Sequence, residues 1–147
     1  MSLAPYIVAF SFLLAGTAPF ARAEEERLPG PIAARVLRVV DGDTVLVRAR
    51  IWLGQDVETS VRLAGVDTPE KHGDCAAERE AAERAQAFTA ARLGEDWVSL
   101  RDVINDKYGR RVVARIVVAD GSDLSTLLLE RGLAHPYGGK RKQSWCP

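Results

Sequence analysis

One long helix-forming segment lies between two groups of strand-like segments, and this arrangement constrains the fold of the 147-residue chain more than any other feature. Residues 75–93 are rich in Ala, Glu, Arg and Gln, with small and apolar side chains at helical spacing, which predicts a long amphipathic helix. Short runs rich in Val, Ile and Leu predict strands before and after it. The predicted strands are residues 33–40, 44–51, 57–66, 97–103 and 111–118.

Turn-forming residues separate the predicted strands and mark a second helix. Asp41-Gly42 is a tight-turn signal that predicts a β-hairpin, and Gly54-Gln55-Asp56 provides the next turn. Beyond the last strand, Ser122 or Asp123 is placed to cap a short helix that Gly132 terminates. The predicted order is therefore β-β-β-α-β-β-α.

Five short strands with a helix between the third and the fourth have the connectivity of a small Greek-key barrel of the oligonucleotide-binding (OB) type. The predicted fold class is therefore α+β, mainly β: a five-stranded OB-fold barrel with a long helix between strands 3 and 4 and a short helix after strand 5. An open α+β sheet would have the same elements without closure, and the sequence leaves that alternative open.

The amino terminus has the pattern of an export signal. Residues 3–20 are apolar and almost uncharged, and Ala21-Arg22-Ala23 precedes an acidic run, which predicts a signal peptide over residues 1–23. The apolar stretch also has nearly the length that spans a bilayer, so an uncleaved anchor is the alternative. Residues 24–32 are predicted to be a flexible leader and residues 33–147 the domain, which is secreted or periplasmic, or else membrane-anchored.

The chain has two cysteines, Cys75 and Cys146. Because exported proteins reach oxidising compartments where thiols pair, we expect a disulfide between them. Two separate thiols are the alternative.

The charges balance, because Lys plus Arg equals Asp plus Glu at 20 each. Without an overall basic field, any affinity for a polyanion has to be local. Lys140-Arg141-Lys142 near Tyr137 is one such basic cluster, which would attract a nucleic-acid backbone while the aromatic ring stacks on a base. A solvated tail is the alternative interpretation.

Three polar segments adjoin the predicted strands. They are Asp41-Gly42-Asp43-Thr44, the stretch from Arg62 to Asp67-Thr68-Pro69-Glu70, and Asp106-Lys107-Tyr108-Gly109-Arg110. Carboxylates and main-chain carbonyls suit a hard cation, while guanidiniums beside a carboxylate base suit a reacting phosphate. Together the segments predict calcium-assisted cleavage of a phosphodiester.

Each segment also has a purely structural interpretation when it is taken alone. Asp-Gly is a common way to reach positive φ in a hairpin. Thr68, Pro69 and Glu70 suit a helix start, with a cap, a proline in the first turn and an acidic side chain near the dipole. The third segment has the composition of a polar hairpin loop.

The combination of motifs resembles the staphylococcal nuclease (thermonuclease) family. The resemblance covers residues 36–134 and rests on the three segments together with Ala119-Asp120-Gly121 and Gly132-Leu133-Ala134. It implies a calcium-dependent nuclease on an OB-fold barrel that cuts DNA and RNA to leave 3′-phosphate ends.

By matching motif position, the resemblance implies a role for each polar residue. The calcium ligands would be the carboxylates of Asp43 and Asp67 and the carbonyl of Thr68, with Asp41 in the outer shell. The residues acting on the phosphate and the water would be Arg62, Arg110 and, as the base, Glu70. The candidate substrate contacts are Lys107, Tyr108 and Tyr137.

The sequence departs from the family pattern at two places. Lys71-His72-Gly73-Asp74 is a short substitute for a lysine-rich loop, and family members often continue into another helix beyond the position of Pro147. We expect the Cys75–Cys146 bridge to replace that helix by fastening the tail to the start of the long helix.

Two hypotheses follow for the function. The first is an exported nuclease of low sequence preference that acts best on single-stranded or open DNA and RNA, with no obligate protein partner. The alternative is a noncatalytic OB-fold module, free or tethered to a membrane, that only binds nucleic acid; membrane contact is expected only if the leader is not cleaved.

Overall fold

The computed structural model describes residues 25–147, and the predicted signal peptide of residues 1–23 lies outside them. The strands are β1 (Arg27–Leu28), β2 (Ile32–Asp41), β3 (Thr44–Trp52), β4 (Gln55–Leu63), β5 (Val66–Asp67), β6 (Trp97–Asn105), β7 (Arg111–Val117) and β8 (His135–Pro136). The helices are α1 (Ala76–Leu93), between β5 and β6, and α2 (Leu124–Glu130), between β7 and β8.

Five of these strands close into a mixed barrel. Strands β2, β3 and β4 form an antiparallel meander, and β4 then pairs in parallel with β7. Strand β6 pairs antiparallel with both β7 and β2, which completes the ring. The predicted OB-type barrel with two helices is therefore confirmed, and the open-sheet alternative is wrong.

Alternation along the strands places one face of each in the core. In β3 the side chains of Val45, Val47 and Ala49 are buried, and in β4 those of Val61 and Leu63. Burying a Val or Leu side chain contributes about 1.5–3 kcal/mol, so these rows dominate the stability of the barrel. Helix residues that close the core are Leu93, Leu124 and Leu128.

Helix α1 buries a stripe of mostly small side chains, which lets the backbone of the β2–β3 turn approach closely. Ala82 and Ala85 are buried, and the Thr89 hydroxyl donates a 2.7 Å hydrogen bond to the Gly42 carbonyl. A Cβ on Gly42 would lie 2.8 Å from the Ala85 Cβ and 2.9 Å from the Thr68 hydroxyl oxygen. Gly42 is thus required by this close approach, and its φ does not lie in the left-handed region.

Strand β4 ends earlier than the sequence predicts. The expected strand over residues 57–66 stops at Leu63, because Gly65 takes a φ of 78° and turns the chain. The chain then forms the separate strand β5, which pairs antiparallel with β8 in a two-stranded sheet. This break places Asp67 beside the carboxyl-terminal part of the chain.

Part of the segment predicted as a flexible leader takes part in the sheet. Arg27 and Leu28 form β1, which pairs with Ile104 and Val103 of β6. The N–H of Asp102 also donates to the Pro29 carbonyl at 3.2 Å. The leader therefore contributes backbone hydrogen bonds along one edge of the barrel.

The tail after β8 has no regular secondary structure, and a disulfide fastens it. Cys75, the residue before α1, is joined to Cys146 across a separation of 71 residues, as expected from the sequence. No helix within residues 25–147 is long and apolar enough to cross a membrane.

Reduction of the disulfide is expected to lower the free energy of unfolding by about 4 kcal/mol, because the bridge closes a long loop and restricts the unfolded chain. Thermal melting with and without reductant measures this effect. A Cys75→Ser/Cys146→Ser variant should melt at the midpoint of the reduced wild type, and reductant should not change that midpoint. Equal midpoints for the oxidised and reduced protein would contradict a stabilising role for the bridge.

Gly42→Ala is expected to destabilise the fold by about 1–3 kcal/mol, because the added methyl group collides with Ala85 and Thr68. Urea unfolding measures the loss. The matched control is Gly138→Ala, since a Cβ at Gly138 meets no atom within 4 Å. Equal midpoints for the two variants would show that the turn tolerates the methyl group.

Candidate active site

Two of the three polar segments named from the sequence, residues 41–44 and 62–70, line a cavity of about 450 Å³, whereas residues 106–110 of the third segment do not line it. Its wall combines carboxylates with cationic side chains in a small space. The lining residues that carry charge are Asp41, Asp43, Glu70, Arg62, Lys71, Arg111 and Lys142.

Asp43 is held rigidly at the end of the β2–β3 hairpin, with only 5% of its surface exposed. Its Oδ2 accepts hydrogen bonds from Arg62 Nη1 at 3.0 Å and from the Thr68 N–H at 3.1 Å. Its Oδ1 accepts from the Thr44 hydroxyl at 3.1 Å. These bonds compensate the cost of burying a carboxylate and fix its orientation.

Asp67 lies on β5 and is 2% exposed. Its Oδ1 faces two cations, Lys142 Nζ at 2.9 Å and Arg62 Nη2 at 3.5 Å. Since Arg62 also bonds to Asp43, a single guanidinium ties together two buried carboxylates that are 24 positions apart in the sequence. The barrel register explains this, because Arg62 pairs with Thr44 across β3 and β4.

Glu70 follows Thr68 and Pro69 at the rim of the cavity, and its side chain is 62% exposed. Lys142 Nζ lies 2.6 Å from its Oε1. The hydrogen bond from Lys142, followed by the charge of that lysine, holds the pKa of Glu70 below its ordinary value. The carboxylate is therefore ionised near neutral pH and able to accept a proton.

Asp41 and Lys71 form the outer edge of the cavity. Their charged groups lie 3.4 Å apart, and Lys71 also donates to the Val40 carbonyl. Asp41 is partly exposed and makes no contact with Asp43 or Asp67 among the ion pairs and hydrogen bonds of residues 25–147. Its outer-shell role near the buried carboxylates stays a prediction.

The β6–β7 turn separates Arg110 from the cavity wall. Gly109 and Arg110 both adopt left-handed φ, 66° and 56°, and Arg110 is exposed and is not a lining residue. The next residue, Arg111, lines the cavity and donates through Nε to the buried Asp106. The structure thus brings Arg62 and Glu70 together but leaves Arg110 apart from them.

Asp106 fixes the turn that carries these arginines. Burial works to raise its pKa, but the hydrogen bonds from Arg111 and from the Tyr108 N–H outweigh burial and hold the pKa below the ordinary 3.8. The backbone bond from Tyr108 measures 3.2 Å. Asp106 is therefore ionised at neutral pH and serves as the anchor of the turn.

A second cavity of about 580 Å³ adjoins the first, and Arg62, Arg111 and Lys142 line both. Its wall carries Tyr108, Lys107 and Tyr137, the three candidate substrate contacts named from the sequence. The Arg62 guanidinium carbon lies 5.4 Å from the centre of the Tyr137 ring, within cation–π range. Two tyrosines beside a shared cationic wall suit a flat aromatic group attached to an anion.

The carboxylates of Asp43 and Asp67 fit a hard divalent cation by their chemistry, because such ions take oxygen ligands. A calcium ion takes 6–8 oxygens, so main-chain carbonyls and water would have to complete the set. Within residues 25–147, one group of three Cys, Asp or Glu donor atoms lies within 4.8 Å, namely Cys75, Glu78 and Cys146, and its thiols are joined in the disulfide. Asp43 and Asp67 are not part of that group, so their fit to a cation rests on the chemistry of their carboxylate oxygens.

Sequence reasoning missed two residues of the site. The sequence predicts Lys142 as part of a basic tail cluster and Arg111 as the first residue of a strand, and it predicts neither as a contact of the site carboxylates. The basic cluster at residues 140–142 was a signal of charge, but nothing in the sequence indicates that Lys142 contacts Asp67 and Glu70. That contact depends on the path of the tail.

Comparison with known proteins identifies the family to which the chain belongs. The model of the family described as staphylococcal nuclease homologue matches residues 60–144, which contain Arg62, Asp67, Glu70 and the β6–β7 turn. A curated relative, Endonuclease Htp3 of Saprolegnia parasitica, is 32% identical over 121 residues, which cover 72% of this chain. The chain spans only 56% of the length of that relative. Because the family match covers more than half of the chain and includes Arg62, Asp67 and Glu70, the protein belongs to the staphylococcal nuclease homologue family.

Proposed function

We propose that the protein is an exported, calcium-dependent nuclease that hydrolyses phosphodiester bonds of DNA and RNA with low sequence preference and leaves 3′-phosphate ends. One observation carries the proposal: the Arg62 guanidinium, at the wall of the cavity that Asp43 and Glu70 also line, joins the buried carboxylates of Asp43 and Asp67. Family membership and a relative named as an endonuclease support it.

The roles of the residues follow from their charges and positions. Glu70, ionised and at the rim, accepts the proton of the attacking water. Arg62 presents fixed donors beside the cavity and stabilises the negative charge that develops on the phosphate. Calcium, held by the carboxylates of Asp43 and Asp67 and the Thr68 carbonyl with Asp41 nearby, would supply further charge stabilisation at the same phosphate.

The second cavity is the proposed binding place for the nucleotide next to the scissile bond. Tyr108 and Tyr137 offer ring faces for a base or sugar, and Lys107 adds positive charge. Stacking on aromatic rings needs bases that are not paired, because duplex bases are already stacked. The preferred substrates are therefore single-stranded or open regions of DNA and RNA.

Export is supported by the disulfide between Cys75 and Cys146, because such bridges persist in oxidising compartments. We infer a secreted or periplasmic protein, with residues 1–23 removed as a signal peptide. Measuring the mass of the mature chain distinguishes this form from one that keeps the segment as a membrane anchor.

Glu70→Gln is expected to slow digestion by about 10²–10⁴-fold, because it removes the proposed proton acceptor while keeping the shape of the side chain. Release of acid-soluble fragments from single-stranded DNA and RNA, with calcium or with chelator, measures the rate. The control is Glu83→Gln, an exposed change on α1 outside both cavities. Digestion that persists in chelator and in Glu70→Gln would overturn the mechanism; nucleic-acid binding without any digestion would favour the noncatalytic module.

Arg110→Met and Arg111→Met are expected to have different effects. The family motif assigns Arg110 a contact with the scissile phosphate, which the exposed side chain would make only when substrate is bound. Its loss should therefore reduce the rate by about 10²–10³-fold without changing the unfolding midpoint. Loss of Arg111 leaves the buried Asp106 without its ion pair and should cost about 1–3 kcal/mol of stability. Digestion rates and urea unfolding of both variants measure the contrast.

The pH dependence of the unfolding free energy provides the control for the Arg111→Met variant. Because the folded pKa of Asp106 is depressed, its contribution to stability is present above the ordinary pKa of 3.8 and is lost as pH falls below that value. The difference in unfolding free energy between the wild type and Arg111→Met should therefore shrink at low pH. A difference that stays constant from neutral to strongly acidic pH would show that the ion pair is not its source.

A further inference from the structure

Lys142 contacts both carboxylates on which the proposed function most depends. Its Nζ lies 2.9 Å from Asp67 Oδ1 and 2.6 Å from Glu70 Oε1. Asp67 is almost completely buried, whereas the Lys142 side chain is 45% exposed. Lys142 and Arg62 therefore approach the same oxygen of Asp67, and Lys142 is the more exposed of the two cations.

Contacts before and after Lys142 in the chain hold it beside Asp67 and Glu70. We call residues 137–146 the strap. Before it, β8 pairs with β5, and the Tyr137 N–H donates to the Gly65 carbonyl at 2.9 Å. At its end, Trp145 stacks on His135 with ring centres 3.7 Å apart, and Cys146 is joined to Cys75. Because both ends are fastened, the ammonium stays at a high effective concentration beside Asp67 and Glu70.

An ammonium and a divalent cation compete for the same oxygens. A calcium ion binds carboxylate oxygen at 2.3–2.6 Å. An ion at that distance from Asp67 Oδ1 would lie close to the Lys142 ammonium, and their like charges repel. The two cannot both contact Asp67 Oδ1 at low energy.

We propose that Lys142 is an internal counter-ion of the candidate cation site, and that a divalent cation binds by displacing its ammonium from Asp67 and Glu70. The inference rests on the proposed function, because it takes Asp43 and Asp67 as the cation ligands. It assigns the strap a role that the family motifs do not contain: it sets the cation affinity of the site.

Displacement also has a consequence for the substrate. The fastened strap keeps the released ammonium near the wall that Lys142 and Arg62 share between the two cavities. Cation binding thus frees Glu70 from its ion pair and makes a second positive charge available to a phosphate at the same time.

The first test compares calcium binding to two matched variants by titration calorimetry in the absence of nucleic acid. Lys142→Met should bind calcium about five- to twentyfold more tightly than the wild type, because no ammonium has to be displaced. Lys140→Met removes the same charge from an exposed position of the strap that does not contact Asp67 or Glu70 among the ion pairs of residues 25–147. It should bind calcium with nearly wild-type affinity.

The second test uses the unaltered protein, so it does not depend on how a variant folds. An amine-acetylating reagent is applied with calcium or with sodium chloride of equal ionic strength, and peptide mass spectrometry gives the rate at each lysine. Calcium should increase the rate at Lys142 severalfold, because the amine leaves its two ion pairs, and should leave the rate at Lys140 unchanged.

The outcomes separate this inference from the proposed function. Equal calcium affinities for Lys142→Met and Lys140→Met, with an unchanged acetylation rate at Lys142, would overturn the competition while leaving a calcium site intact. A complete lack of calcium binding in the wild type and in Lys142→Met would instead overturn the proposed calcium dependence, and this inference with it.

Discussion

The contact of Arg62 with two buried carboxylates organises the site and the surrounding fold. A buried carboxylate is costly unless a cation and hydrogen bonds compensate it, and Asp43 and Asp67 are both nearly inaccessible. Arg62 can contact both carboxylates at once, because its planar guanidinium presents Nη1 to Asp43 and Nη2 to Asp67. Removing the guanidinium would leave the buried Asp43 without its cation and Asp67 with Lys142 alone, so this part of the barrel depends on Arg62.

The barrel makes this contact possible by bringing distant segments to one end. The pairing of Thr44 with Arg62 places the end of the hairpin beside β4, and the left-handed Gly65 then turns the chain so that Asp67 follows on a new short strand. The small side chains of α1 allow the Gly42 turn to pack closely beneath Asp43. Core packing and site geometry therefore depend on the same few backbone positions.

The sequence was sufficient for features that depend on local patterns. The helix predicted over residues 75–93 is confirmed as Ala76–Leu93, and the five strands and their closure follow from alternation and turn residues. The break at Gly65 was missed because residues 57–66 read as one continuous extended run. The need for Gly42 was attributed to its φ, since a contact with Ala85, 43 positions away, leaves no trace in a local window.

The tail was the least predictable region, and the reason is physical. Strand β8 has two residues and the strap has no regular structure, so neither carries a periodic signal. Their path is set by long-range constraints: the pairing with β5, the stacking of Trp145 on His135 and the bridge to Cys75. Because Cys146 lies four positions after Lys142, the covalent bond that stabilises the fold also limits how far this ammonium can move from Asp67 and Glu70. Stability and the charge of the site are in this way coupled through one short segment.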